Sequence, residues 1–133
     1  MRRKTALYLD FDNIFIGLTQ SNLEVASLFS SQPRKLLSIL AEPDESGDYR
    51  DFIVRRCYIN SDAKLQNPIT LGSSLNYNFK ALRRYFVEAG FEIIECPNLT
   101  YGMKNAADMR MCMDIMDSLN GSTHLDEYFV ASG

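Results

Sequence analysis

One short segment near the start of the sequence restricts the fold more than any other. Residues 5–10 have the sequence TALYLD, a nearly unbroken apolar run that ends at an acid. Such a run is typical of a strand covered on both faces, and strands of that kind belong to parallel sheets. The run is too short to be the apolar region of a signal peptide. We therefore predict that the chain begins with a buried strand of a parallel sheet.

The rest of the chain alternates between helical and strand-like patterns. Three segments show helical periodicity, with Pro33 placed to open a second helical piece in the first of them: residues 22–42, 76–90 and 105–121. Three segments are rich in β-branched and aromatic residues: residues 52–60, 91–96 and 127–132. Because this alternation requires crossover connections, we predict a single α/β domain with a mainly parallel sheet.

Composition limits the classes of function. The chain has 133 residues, 46% apolar and 23% charged, which is typical of one soluble globular domain. No apolar stretch approaches the roughly 20 residues that cross a bilayer, so no membrane partner is expected. The net charge of −3 excludes a basic protein that coats nucleic acid. Three cysteines without CxxC spacing predict no disulfide partner and favour a cytoplasmic location.

Several acids are predicted to meet at one edge of the sheet. Asp10 and Asp12 follow the first strand, and function gathers at the carboxyl ends of parallel strands. Asp108 begins a helix that follows another strand, so it is expected to face the same edge. Acids at the end of a buried strand are costly unless a cation offsets their repulsion. Two alternatives stay open: Asp108 as a helix N-terminal residue favoured by the macrodipole, and Asp12 as a turn residue.

The segment LDFDN, residues 9–13, resembles the first motif of the haloacid-dehalogenase phosphatases. That resemblance implies that Asp10 attacks a phosphate and that Asp12 acts as acid and base. Ser61, in the segment VRRCYINS, is a partial match to a later motif of that family. The resemblance leaves the helix over 105–121 unexplained.

A second resemblance covers nearly the whole chain and includes that helix. It consists of an apolar strand ending in Asp-x-x-Asn, a lysine shortly before a helical aspartate, a second aspartate six residues on, and the strand YFVASG. The matching residues are Asp10, Asn13, Lys104, Asp108 and Asp114. On these motifs the sequence is similar to the NYN domains, in the LabA-like branch of the PIN-like ribonuclease superfamily. The resemblance implies a three-layer, Rossmann-like fold with helices on both sides of the sheet.

The NYN resemblance implies a metal-dependent ribonuclease that hydrolyses phosphodiester bonds in RNA. It implies that Asp10 and Asp108 bind Mg²⁺ or Mn²⁺, which prefer oxygen ligands, and that Asn13 orients Asp10 or the substrate. Asp114 is also a candidate catalytic residue. It lies about 240° around the helix from Asp108, so it is expected to support the site from behind or to be a solvated residue. RNA is the expected partner, and a homodimer is compatible with the sequence.

Four further residues are candidates for substrate binding: Asp12, Lys104, Arg55 and Arg84. Arg55 and Arg56 are adjacent in a predicted strand, so they point to opposite faces and at most one serves the site. Arg84 belongs to a basic stripe on one helix, for which a solvated helix face is the alternative. A plain surface lysine is the alternative for Lys104.

The sequence stops within the family's last motif. In NYN domains the final strand continues into Ser-Gly-Asp, and this aspartate completes the metal site, whereas the present sequence ends at VASG. The resemblance therefore implies a domain that lacks its last metal-binding acid, can be inactive as it stands, and is part of a longer protein. A domain that binds RNA or a protein without cutting is the third interpretation.

Overall fold

The computed structural model describes residues 1–59, 79–96, 106–121 and 124–132. The strands are β1 (Arg2–Asp10), β2 (Tyr49–Ile59), β3 (Glu92–Glu95) and β4 (Glu127–Ala131). The helices are α1 (Phe11–Ser21), α2 (Leu23–Ser31), α3 (Pro33–Leu40), α4 (Phe79–Glu88) and α5 (Ala106–Leu119). None of these helices is long and apolar enough to cross a membrane. Cys57, Cys96 and Cys112 are free thiols.

The described strands form one parallel sheet, as the alternation of elements predicts, and their order is β3-β2-β1-β4. β1 lies between two neighbours, and every residue of Thr5–Asp10 is buried. Leu7 and Leu9 pack on one face of the sheet, while Ala6 and Tyr8 pack on the other. The prediction of a first strand covered on both faces is confirmed.

Helices lie on both faces of the sheet, which gives the predicted three-layer α/β arrangement. On one face, phenylalanines from the helices and from the residue before β3 pack together, with ring centroids of contacting pairs 5.2–5.9 Å apart: Phe11, Phe15, Phe29, Phe86 and Phe91. On the other face, Tyr8 stacks between Tyr58 and Tyr128, with centroids 6.4 Å apart. α5 packs over this tyrosine face through Met111 and Ile115.

A bulge in β2 sets which of its side chains point towards α5. Thr5 pairs with Phe52 and Ala6 pairs with Val54, so Ile53 is the extra residue. Phe52 therefore packs on the phenylalanine face, and Val54 packs on the tyrosine face. Without the bulge, residues two apart would point the same way. The shift places Tyr58 on the side of α5.

The predicted helical segment over residues 22–42 is confirmed as α2 and α3, and the structure adds α1, which follows β1 without an intervening loop. The signal was present: Phe11, Phe15 and Leu18 recur at helical spacing and pack into the core. Asn22 separates α1 from α2, and its Oδ1 accepts hydrogen bonds from the N–H groups of residues 24 and 25. Pro33 opens α3, as predicted.

Candidate active site

Asp10 ends β1 and begins the turn into α1 at the carboxyl edge of the sheet. Its exposed fraction is 2%. The first turn of α1 brings Asn13 back towards Asp10, and its Nδ2 donates a hydrogen bond of 2.6 Å to the Asp10 Oδ2. Because the helix begins directly after the strand, the Asn13 amide lies beside the buried Asp10 carboxyl group and donates a hydrogen bond to it.

Asp108 reaches the same point from the other face of the sheet. It lies in the first turn of α5, and its carboxyl group is close enough to that of Asp10 to raise the pKa of Asp10. Its Oδ1 is buried and has no hydrogen-bond partner among the described residues. Asp10 and Asp108, separated by nearly the length of the chain, thus form a pair of carboxyl groups.

The electrostatics of this pair favour either a proton or a cation. The pKa of Asp10 is raised to about 7, first by burial and then by the hydrogen bond and charge of Asp108, while hydrogen bonds from Asn13 act in the opposite direction. Neither acid forms a salt bridge within the described part of the chain. At low pH a proton on Asp10 bridges the two groups, and a cation would have the same effect at higher pH.

Asp12 lies in the first turn of α1 rather than in a loop. Asp12 is partly buried. The pKa of the Cys57 thiol is raised mainly by the burial of that thiol, and the charge of Asp12 is the next largest cause. Asp10 adds to that effect. The two acids of LDFDN therefore place their charges near the same end of β2, although they belong to different elements.

Asp114 contacts another set of residues. The Tyr58 hydroxyl donates a hydrogen bond of 2.7 Å to the Asp114 Oδ2, and the Arg110 Nε lies 3.2 Å from Oδ1. Arg56 Nη1 lies 3.9 Å from the same carboxylate. The contacts described for Asp114 are thus with β2 and its own helix, in keeping with its position around the helix from Asp108.

The structure places the candidate substrate-binding arginines away from the acid pair. Arg55 donates from Nε to the Phe52 carbonyl at 2.9 Å and from Nη1 to the Ala89 carbonyl at 3.0 Å, so it holds the end of α4. Arg84 is exposed, with Nε 3.9 Å from Glu88. Lys104 and Ser61 lie outside the described residues.

Two residues that contact Asp114 are not among the candidates from the sequence: Tyr58 and Arg110. Tyr58 pairs with Asp10 across β1 and β2. No local sequence pattern predicts this pairing, because it depends on which strands are neighbours and on the bulge in β2. The spacing of Arg110 and Asp114, four residues apart on a helix, is a signal that could have linked them.

The chemistry of the pair fits a divalent metal such as Mg²⁺ or Mn²⁺, which binds to carboxylate oxygens and is held by few of them. Asp10 and Asp108 are the two residues that could hold it, and the buried Asp108 Oδ1 is an acceptor that such an ion would satisfy. No group of three potential ligands occurs among the described residues. The described residues thus offer two carboxylates that a metal ion could use as ligands.

Comparison with known sequences identifies a family for the chain. Searches of curated proteins and of solved structures found no match. The family model of the NYN domain matches residues 4–133, which include both acids of the pair. The match does not distinguish the LabA-like branch from others. NYN domains belong to the PIN-like nuclease superfamily. With the match extending over nearly the whole chain, the protein belongs to the NYN domain family.

Proposed function

We propose that the protein is a metal-dependent ribonuclease and that Asp10 and Asp108 hold its catalytic Mg²⁺ or Mn²⁺. The observation that carries this proposal is the close pair of carboxyl groups at the carboxyl edge of the sheet, where Asp10 is buried, the Asp108 Oδ1 has no hydrogen-bond partner among the described residues, and the pKa of Asp10 is raised to about 7. Membership of a nuclease superfamily supports the same conclusion.

The bound ion would polarise a phosphodiester and lower the pKa of a bound water molecule. The protein's own residues prepare that position. Burial of Asp10 keeps bulk water away, and the Asn13 amide fixes the direction of its carboxylate. Asp108 provides a second carboxylate from α5, and together with Asp10 it would hold the ion in place of a proton. Lys104 is retained as a proposed contact to a phosphate of the substrate.

The test combines metal binding with cleavage. Mn²⁺ binding is measured by calorimetry, and cleavage is measured on a fluorescent single-stranded RNA, for the wild type, Asp10→Asn and Asp108→Asn. Each variant is expected to lose at least about tenfold in Mn²⁺ affinity and to lose cleavage, because a ligand charge is removed. Asp117→Asn is the matched control, since it removes an exposed acid from the same helix and is expected to change neither value.

Other outcomes identify the alternatives. Hydrolysis of p-nitrophenyl phosphate with intact RNA would support the phosphatase that uses Asp10 as nucleophile and Asp12 as acid and base. RNA binding that is unchanged in Asp10→Asn, without cleavage or Mn²⁺ binding in the wild type, would support a non-catalytic binding domain. Either result would contradict the metal-dependent nuclease.

A further inference from the structure

We propose that Tyr58 and Asp114 are positioning residues, and that the hydrogen bond between them fixes α5 on the sheet and thereby holds Asp108 opposite Asp10. The proposal rests on the proposed function of the acid pair. It gives Asp114 a role through its helix, without contact to substrate or metal.

The hydrogen bond joins the strand next to Asp10 to the helix that carries Asp108. On the sheet, Tyr58 is the β2 residue in register with Asp10. On the helix, Asp114 follows Asp108 by six residues, about 9 Å along the axis. The bond between the Tyr58 hydroxyl and the Asp114 carboxylate is 2.7 Å long. A displacement of α5 that broke this bond would move Asp108 with the helix.

The described apolar contacts of α5 with the sheet come from Met111 and the partly buried Ile115. Met111 is its buried side chain among those described, while Met109, Met113 and Met116 are more than half exposed. Methionine is unbranched and adapts to different packing arrangements, so such a contact tolerates sliding of the helix. A hydrogen bond from a rigid, fully buried tyrosine is directional and does not tolerate sliding.

The acceptor is itself held in place. Asp114 receives the Arg110 Nε at 3.2 Å from one turn earlier on α5, and Arg56 approaches from β2. Arg56 in turn binds Glu92 on β3 through its Nε at 3.2 Å. Hydrogen bonds to a charged carboxylate are shorter and stronger than neutral ones, so this set of contacts ties α5 to two strands.

The chain offers a matched control for Tyr58. Tyr8 is also fully buried, faces α5, and stacks on Tyr58 with ring centroids 6.4 Å apart. Its hydroxyl has no hydrogen-bond partner among the residues that the structure describes. Replacement of either tyrosine by phenylalanine removes one buried oxygen and keeps the ring, but only Tyr58→Phe removes a bond to α5.

The experiment compares Tyr58→Phe with Tyr8→Phe in the full chain. Calorimetry with Mn²⁺ is expected to show roughly tenfold weaker binding for Tyr58→Phe, the usual effect of removing support behind a metal ligand, and no change for Tyr8→Phe. Crystal structures without metal are expected to show a wider separation of the Asp10 and Asp108 carboxylates in Tyr58→Phe alone. Asp114→Asn keeps a carbonyl acceptor for Tyr58 and is expected to lose less affinity than Asp114→Ala.

Equal Mn²⁺ affinities for the two tyrosine variants, or an unchanged carboxylate separation in Tyr58→Phe, would overturn the positioning role. If the wild type bound no Mn²⁺, the proposed function would fail, and the crystallographic separation would decide the positioning role alone. If Tyr58→Phe did not fold, the comparison of Asp114→Asn with Asp114→Ala would replace it, and equal affinities there would contradict the proposal.

Discussion

At the scale of single residues, Asp10 combines burial with charge. Its carboxyl group is buried, lies close to that of Asp108, and accepts a hydrogen bond from the Asn13 side-chain amide. A buried carboxylate beside another acid is normally unfavourable, and its pKa rises until the group holds a proton or a cation. The residue that is proposed to bind metal should therefore destabilise the metal-free protein at neutral pH.

This conclusion leads to a pH-dependent prediction for Asp10→Asn. The pKa of Asp10 rises from 3.8 to about 7 on folding, so the folded state binds its proton more tightly. The free energy of unfolding then falls as pH rises from about 4 to 7, and the full cost is present above pH 7. Urea unfolding in EDTA should show Asp10→Asn more stable than the wild type by roughly 2–4 kcal/mol at pH 8, with little difference at pH 4.

Asp117→Asn is the control for this measurement, and its difference from the wild type should not depend on pH in this range. If the metal-free Asp10→Asn protein were less stable than the wild type at pH 8, the conclusion that the ionised Asp10 carboxylate destabilises the fold would be contradicted.

At the scale of elements, Gly90 joins the end of α4 to β3. Its φ of +87° is in the left-handed region, and a Cβ there would lie 2.5 Å from the Arg55 Nη1. That nitrogen donates to the Ala89 carbonyl and closes the end of α4. The junction therefore requires glycine for two separate reasons, one in the backbone and one in the approach of a side chain.

Gly90→Ala should destabilise the protein by roughly 1–3 kcal/mol, because it adds a left-handed alanine and displaces Arg55. Gly47→Ala is the matched control, since Gly47 has a φ of +86° and no atom within 4 Å of its Cβ position. Urea unfolding at pH 7 measures both variants. Because only Gly90 approaches Arg55, a loss of stability equal to that of Gly47→Ala would show that the arginine contributes nothing.

At the scale of the whole molecule, the two edges of the sheet respond to pH in opposite directions. At the edge away from the acid pair, Arg3 binds Asp44 at 2.7 Å and Asp48 at 3.2 Å. The pKa of Asp44 is lowered to about 2, first by the Ser46 hydroxyl, and that of Asp48 is lowered first by the Met1 amino group and then by Arg3. These lowered values stabilise the fold above about pH 4, and the contribution is lost as pH falls towards 2.

The free energy of unfolding of the metal-free protein should therefore peak at mildly acidic pH, between about 4 and 5. Ionisation of Asp10 reduces the free energy of unfolding as pH rises above this maximum, and protonation of Asp44 and Asp48 reduces it as pH falls below the maximum. Thermal unfolding from pH 2 to 9 measures this profile. Asp48→Asn should flatten only the acid side and Asp10→Asn only the alkaline side. A profile that rises steadily to pH 8 would contradict the assignment.

Local patterns in the sequence determined the order and type of most elements. The apolar run before Asp10 predicted a buried strand, Pro33 marked the start of α3, and Asp108 was placed in the first turn of α5. Periodicity and terminal residues are local properties, so they can be recognised without knowing the fold. The expectation that Asp108 faces the same edge as Asp10 also followed, because parallel strands end together.

Only the tertiary structure decided which side chains meet at that edge. The strand order placed Tyr58 beside Asp10, and the bulge at Ile53 set Tyr58 on the side of α5, where it binds Asp114. Arg55, a candidate for the site, closes the end of α4 instead. The physical reason is that strand pairing and register depend on contacts between distant segments, and a shift of one residue in a strand exchanges its two faces.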